Sequence, residues 1–207
     1  MGYRTVSGIS TGEYEDRRSQ FIGQLCHADT EEEALAFIAK VRSENRKARH
    51  NVYAYILRDG NISRYTDDGE PSGTAGVPVL EILRHEGLVD VCIVVTRYFG
   101  GILLGTGGLV RAYTQAAKLA VESAAVMDMQ QCSEMDITCD YTYYGILQGV
   151  FTEYGVKTVS SDFADAVRLV LLCPEERAAD FTAAVTETTN GRVAATVKRS
   201  VYADMNS

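Results

Sequence analysis

The sequence predicts an α+β protein made of two domains, and three observations carry this prediction. Segments with a helical repeat of apolar residues alternate with short β-branched runs along the chain of 207 residues. A polar stretch at 128–133 interrupts the pattern, which places the first domain at residues 1–130 and the second at residues 134–207. Beyond it the elements follow the order βαββαβ, which is typical of a ferredoxin-like domain.

The first element predicted in the first domain is a helix. Thr30–Glu33 has the form of a capping box, and the apolar spacing behind it predicts a helix into the mid-forties. A hairpin is expected next, with strands at 52–57 and 62–65 joined by the turn residues Asp59-Gly60.

A glycine-rich loop at 66–76 separates the hairpin from a second helix, which Pro78 begins and Gly87 ends. Val89–Val95 predicts a buried strand, and a long helix with small residues on one face follows it. The second domain is predicted to hold strands at 135–141, 156–161, 166–172 and 192–202, with helices at 143–154 and 174–189.

The composition is that of an ordinary globular protein, with 46% hydrophobic and 23% charged residues. No apolar run approaches the roughly 20 residues that a membrane span needs, and the first ten residues lack the apolar centre of a signal peptide. The five cysteines form no C-x-x-C pair, so neither a disulfide framework nor a structural zinc site is expected. We therefore expect a cytoplasmic protein without membrane contact.

The net charge of −8 argues against a protein that coats nucleic acid. One segment departs from the acidic average, because residues 40–49 hold the cations Lys40, Arg42, Arg46, Lys47 and Arg49. Such a run forms either a solvated helix face or a local edge that binds anions.

The loop DDGEPSGTAG brings three carboxylates, Asp67, Asp68 and Glu70, within four residues. Such a cluster holds a hard cation through its oxygens, supplies a general base, or only closes a turn with exposed acids. A fourth alternative is structural, with the loop reaching across to pair with Arg97 or Arg111.

The segment TRYFGGILLGTGGLVRAY leads from the buried strand into the long helix. Backbone N–H groups and the helix dipole at such a junction favour an anion, and Arg97 and Arg111 bracket the loop with guanidinium groups that bind phosphate oxygens. The alternative is tight packing, since glycine serves both purposes. Neither standard nucleotide-binding spacing is present.

His50 and Asn51 begin the first strand of the hairpin, where they are expected to support the site rather than to react. No serine or cysteine lies in a nucleophile elbow, and the sequence contains no complete catalytic constellation. These observations favour a binding protein over an enzyme.

The two long motifs DDGEPSGTAG-x-P and VTRYFGG-x-x-LG-x-GGLVRAY, preceded by HN-x-YAY, resemble the IMPACT/YigZ family over essentially the whole chain. The resemblance implies a first domain like domain IV of elongation factor G and a second like its domain V. Eukaryotic relatives bind a translational activator and so restrain a stress kinase. Many relatives carry a lysine where this chain has Leu103, which leaves the two arginines to supply positive charge.

The prediction is therefore a cytoplasmic, non-enzymatic binding protein linked to translation, with RNA or a ribosome-associated factor as its partner and no cofactor or metal. The alternatives are an enzyme or sensor for a small phosphorylated ligand and a protein–protein adaptor. The predicted anion- or RNA-binding residues are Arg97, Tyr98, Gly100, Gly101, Gly105, Gly107, Gly108, Arg111 and Tyr113, with the acidic loop Asp67, Asp68 and Glu70 and the supporting residues His50 and Asn51 beside them.

Overall fold

The structure, a computed structural model, describes residues 2–205 of the chain. Its elements are β1 (Tyr3–Ser7), β2 (Ile9–Asp16), β3 (Ser19–His27), α1 (Glu31–Glu44), β4 (His50–Leu57), β5 (Ile62–Thr66), α2 (Gly76–His85), β6 (Val91–Tyr98), α3 (Gly105–Glu122), β7 (Ala125–Cys139), α4 (Tyr141–Tyr154), β8 (Lys157–Phe163), β9 (Val167–Pro174), α5 (Ala178–Thr188) and β10 (Thr196–Asp204). The expected mixture of helices and strands in two domains is confirmed.

The chain divides into two compact units, Tyr3–Met127 and a second that holds Gly2 and the described residues from Asp128 onward. In the first unit an antiparallel sheet has the order β2-β3-β6-β4-β5. Alternate residues of its strands face α2 and α3 on one side, where the larger apolar core lies, and α1 on the other.

The helix α1 begins as its sequence predicts, because the Thr30 side chain accepts a hydrogen bond from the Glu33 backbone N–H. The helix α3 lies close against β2 and β3. A Cβ at Gly12 would come within 2.3 Å of the Ala120 nitrogen, so only glycine permits this approach.

The second unit has the predicted element order. β10 pairs with β7, β7 with β9 and β9 with β8, each antiparallel. The helices α4 and α5 contribute Leu147, Phe151 and Phe181 to an apolar core on the sheet. Gly155 adopts a left-handed conformation at the end of α4, as its sequence position predicts.

Three details of the sequence prediction need correction. The strand predicted at 135–141 begins earlier, because β7 starts at Ala125, runs through the polar stretch 128–133 and pairs there with β10. The strand β6 begins at Val91 and continues through Arg97 and Tyr98, so these two side chains belong to the sheet. The hairpin of β2 and β3 was not predicted at all.

Candidate functional site

The predicted site residues gather at one end of the first unit's sheet, where β6 ends and β3 and β4 begin. Arg97 lies opposite Phe21 on β3 and opposite His50 on β4. Directly opposite residues of neighbouring strands face the same side of a sheet, so these three side chains share the side that α2 and α3 cover. The end of β6, the acidic loop and the glycine-rich segment therefore meet at this end of the sheet.

Glu70 is the centre of a buried polar cluster. Its Oε1 accepts a hydrogen bond of 2.6 Å from Arg97 Nη1 and one of 2.8 Å from the Tyr113 hydroxyl. The side chains of Glu70 and Arg97 are only 4% and 6% exposed. The Arg97 charge is turned inward onto Glu70, a contact that matches the structural alternative for the acidic loop.

The Arg97 guanidinium also lies 5.5 Å from the ring centres of both Phe21 and Phe99. Its Nε is buried and has no hydrogen-bond partner within residues 2–205. Burial, and then the Glu70 carboxylate, raise the pKa of Tyr113 above its ordinary value, so its hydroxyl keeps the proton that it donates to Glu70.

Asp67 closes its own loop. Its Oδ1 accepts hydrogen bonds from the backbone N–H groups of Ala75 and Gly76, at 3.1 and 2.8 Å, and its Oδ2 accepts one of 2.9 Å from Gly73. Because Gly76 is the first residue of α2, this carboxylate also stabilises the start of the helix.

Asp68 joins the loop to α1 and β4. Its Oδ1 accepts from Arg42 Nη2 and its Oδ2 from the Asn51 backbone N–H, each at 2.7 Å. His50 Nδ1 lies 2.9 Å from the Asp68 carbonyl oxygen. All three loop carboxylates thus make protein contacts, and no group of three or more His, Cys, Asp or Glu side chains in the described part of the chain is placed to hold a metal ion.

Tyr98 and Asn51 each take part in a side-chain hydrogen bond that stabilises this end of the sheet. The Tyr98 hydroxyl donates to Asn45 Oδ1 at 2.7 Å, and the Thr96 hydroxyl donates to Asn51 Oδ1 at 2.8 Å. The first contact places the turn between α1 and β4, which carries Arg46, Lys47 and Arg49, beside the end of β6.

The glycines of the predicted anion site have different roles. The Gly100 N–H donates to Ser19 Oγ, and a Cβ at Gly100 would lie 2.0 Å from the Arg18 carbonyl carbon. A Cβ at Gly108 would meet Leu104 at 2.8 Å, so these two positions serve close packing. Gly101 and Gly105 adopt positive φ, and the helical Gly107 faces open space.

Between Tyr98 and α3 the chain exposes three apolar side chains: Phe99 is 50% exposed, Ile102 42% and Leu103 79%. Six exposed cations lie on the two turns and on the helix α3 that adjoin this loop. The Arg18 backbone packs against Gly100, and Arg17 Nη1 donates to the Leu103 carbonyl oxygen at 3.3 Å. We call this the loop-end surface, which consists of Phe99, Ile102, Leu103, Arg17, Arg18, Arg46, Lys47, Arg49 and Arg111.

The sequence interpretation had missed Arg17 and Arg18 because their turn contains no glycine or asparagine, although both residues adopt positive φ. The alternation of small or apolar residues with polar ones in β2 and β3, seen at Gly12, Gly23 and Leu25, could have identified the hairpin.

Comparison with known proteins covers both units. A family model described as the Impact N-terminal domain matches residues 17–121, and one described as a domain of unknown function, DUF1949, matches residues 137–192. Within the described residues 2–205, no helix has both the length and the apolar character needed to cross a membrane.

The similarity extends over almost the full length of several relatives. The chain is 37% identical over 191 residues to the IMPACT family member YvyE of Bacillus subtilis (strain 168), an alignment that covers 92% of this chain and 88% of that protein. It is 35% identical over 180 residues to the IMPACT family member YigZ of Escherichia coli (strain K12), with 86% and 88% covered. A solved structure described only as that of a hypothetical protein is 32% identical and superposes with a TM-score of 0.61, covering 96% of this chain and 98% of that one. The chain belongs to the IMPACT family.

Proposed function

We propose that this protein is a non-catalytic binding protein that acts in translation or its regulation, and that it contacts a ribosome-associated protein through the loop-end surface. The single observation that carries the proposal is the contrast between a fixed interior and an exposed loop. Glu70, Arg97 and Tyr113 are buried and bound to one another, whereas Ile102 and Leu103 project beside them without a described partner.

The link to translation comes from the family resemblance of the two long motifs, and the second of them, VTRYFGG-x-x-LG-x-GGLVRAY, runs through this surface. The non-catalytic character is supported by the acidic loop, because each of Asp67, Asp68 and Glu70 is engaged by backbone N–H groups or by buried donors. A carboxylate held in this way lacks the free geometry that a general base needs.

Exposed apolar side chains on a constrained loop are suited to binding. The Gly100 contact with Ser19 and the Arg17 contact with the Leu103 carbonyl oxygen limit the conformations of the loop before any partner arrives. Little conformational entropy is then lost on association, which favours affinity. Contiguous exposed apolar groups are also a common mark of protein interfaces.

The test is co-sedimentation of the tagged protein with ribosomes from native lysate. The double variant Ile102→Ser/Leu103→Ser should reduce the ribosome-bound fraction by about tenfold, because two central apolar contacts are lost. Ile9→Ser is the matched control, since Ile9 is 55% exposed at the other end of β2 and should leave binding unchanged.

A protein that stays free of ribosomes at low and at moderate salt would refute the translation-linked role. Ribosome binding that the double variant leaves intact would refute the assigned surface instead. Arg111→Ala is the suitable arginine variant, because removal of Arg97 would leave Glu70 buried without its counter-charge.

A second candidate function, an enzyme or sensor for a small phosphorylated ligand, is favoured by one observation. The Arg97 Nε is a buried donor without a partner in the described residues, and such donors are uncommon in native proteins. Calorimetry with inorganic phosphate, ATP and GTP, each with and without Mg²⁺, tests it. Saturable heat that Arg97→Lys reduces would support this candidate, and flat titrations at millimolar ligand would refute it.

A further inference from the structure

We propose that the loop-end surface takes an acidic segment of its protein partner, one in which carboxylates alternate with apolar side chains. This inference rests on the proposed function, because it specifies the chemistry of the partner that binds there. Two features of the surface point to this occupant: its free charge and its apolar centre.

The free charge of this end is positive although the chain carries −8. Two of the three loop carboxylates are neutralised, since Asp68 is paired with Arg42 and Glu70 with Arg97, and Asp67 is turned onto the backbone N–H groups of its own loop. Within the described part of the chain, none of the six cations of the loop-end surface has an ion-pair partner. The same two turns contribute only Asp16 and Glu44 as opposing acids.

The cations lie on both sides of the loop. The β2–β3 turn meets the loop through the Arg17 side chain and the Arg18 backbone, and Arg46, Lys47 and Arg49 lie in the turn that Asn45 joins to Tyr98. A segment laid across Phe99 and Leu103 would therefore meet positive charge along each edge. Exposed charges in this arrangement steer an oppositely charged partner and exclude a basic one.

The apolar centre distinguishes a protein segment from RNA. Leu103 and Ile102 are aliphatic and offer no face on which a base stacks, while the half-exposed Phe99 is one ring beside them. An apolar centre with a charged rim is the usual arrangement at protein–protein interfaces. The observations thus favour an acidic protein segment, and RNA becomes an outcome of the test.

The experiment replaces Leu103 with the photo-cross-linker p-benzoylphenylalanine in the full chain, irradiates lysate, and separates ribosomal from ribosome-free fractions. Mass spectrometry then identifies the cross-linked peptides. We expect ribonuclease-resistant cross-links to peptides in which Asp or Glu flanks the attached apolar residue. The cross-linker at Ile9, an aliphatic residue that is 55% exposed at the other end of β2, is the matched control.

The charge requirement is tested in the same assay. The triple variant Arg46→Glu/Lys47→Glu/Arg49→Glu should lower the cross-link yield by about tenfold, because like charges then face the acidic segment. Arg192→Glu, an exposed cation of the second unit, should leave the yield unchanged.

The outcomes separate the inference from the proposed function. Cross-links to ribosomal RNA, or to peptides without an excess of acids, in ribosomal fractions would overturn the inference and leave the translation role standing. Cross-links to acidic segments only in ribosome-free fractions, without co-sedimentation, would keep the inference and overturn the translation role. A yield at Leu103 no higher than at Ile9 would overturn the inference.

Discussion

Glu70 shows how one carboxylate oxygen can organise the end of a sheet. It accepts from Arg97 and from Tyr113, which belong to β6 and α3, so a loop residue fixes a strand to a helix. Removing one member of a buried ion pair is costly, since the other charge then stays desolvated and unpaired.

Glu70→Gln should therefore lower the free energy of unfolding of the first unit by about 3 kcal/mol. Native-state hydrogen exchange of the β6 amides measures it, because this unit is followed separately from the second. Glu81→Gln breaks the exposed Glu81–Arg84 pair and should cost about 0.5 kcal/mol or less. Equal effects of the two variants would contradict the role assigned to Glu70.

Tyr113 makes stability depend on alkaline pH. Burial and the Glu70 carboxylate raise its pKa, so the folded protein keeps the phenolic proton where the unfolded chain, with a pKa of about 10, loses it. The contribution is fully present below about pH 10 and is lost as the pH rises toward the folded pKa, by about 1.4 kcal/mol per pH unit.

Urea midpoints measured at about pH 9 and about pH 11 test this expectation. Tyr113→Phe should reduce the drop between the two, because its phenyl ring has no proton to lose. The exposed Tyr65→Phe should retain the wild-type drop. A drop that both variants share with the wild type would contradict the assignment.

At the scale of elements, the approach of α3 to β2 and β3 depends on glycines in the strands. A Cβ at Gly23 would lie 2.7 Å from the Ala116 carbonyl oxygen, where backbone cannot yield without moving the helix. Gly23→Ala should destabilise the first unit by about 2 kcal/mol, measured by hydrogen exchange.

Gly107→Ala, a substitution within α3 itself, is the opposite case. A Cβ there meets open space, and alanine loses less backbone entropy in a helix, so this variant should stabilise by about 0.5–1 kcal/mol. A neutral Gly23→Ala would show that the strand glycines do not set this packing, and a destabilising Gly107→Ala would contradict the open space assigned to that position.

Element prediction succeeded where the information is local. The Thr30 cap, the Asp59-Gly60 turn and the Gly155 C-cap are specified by neighbouring residues, and the structure has each of them. The β2–β3 turn at Arg17-Arg18 was not predicted, because strand pairing imposes its positive φ angles. Neither residue is of a type that favours such angles.

The residues of the buried cluster were predictable from the sequence, but their contacts were not. The motifs identified Glu70, Arg97 and Tyr113, yet which arginine the acidic loop would meet was left open between Arg97 and Arg111. The answer depends on residues 27 and 43 positions away from Glu70. The predicted strand ended at Val95, before the true end of β6 at Tyr98, for the same reason. Arg97 is polar, and it is buried in the sheet only because Glu70, distant in sequence, neutralises it.

At the scale of the whole molecule, charge is distributed unequally. The chain is acidic overall, while the loop-end surface contains six exposed cations on the elements that adjoin its loop. Such a distribution orients the molecule as it approaches an acidic partner and keeps its other faces away. Binding should therefore combine a screened electrostatic component with an apolar component that salt does not weaken.

Raising the salt from about 50 to about 300 mM should reduce the ribosome-bound fraction by about fivefold and not abolish it, because the Debye length shortens while the apolar contact persists. The triple variant Arg46→Ala/Lys47→Ala/Arg49→Ala should bind more weakly at low salt and show a flatter salt dependence. Ile102→Ser/Leu103→Ser should keep the wild-type slope at lower binding throughout. If the alanine triple variant retains the full salt slope, the three cations of the turn between α1 and β4 do not guide association, and the charge requirement inferred for that turn is wrong.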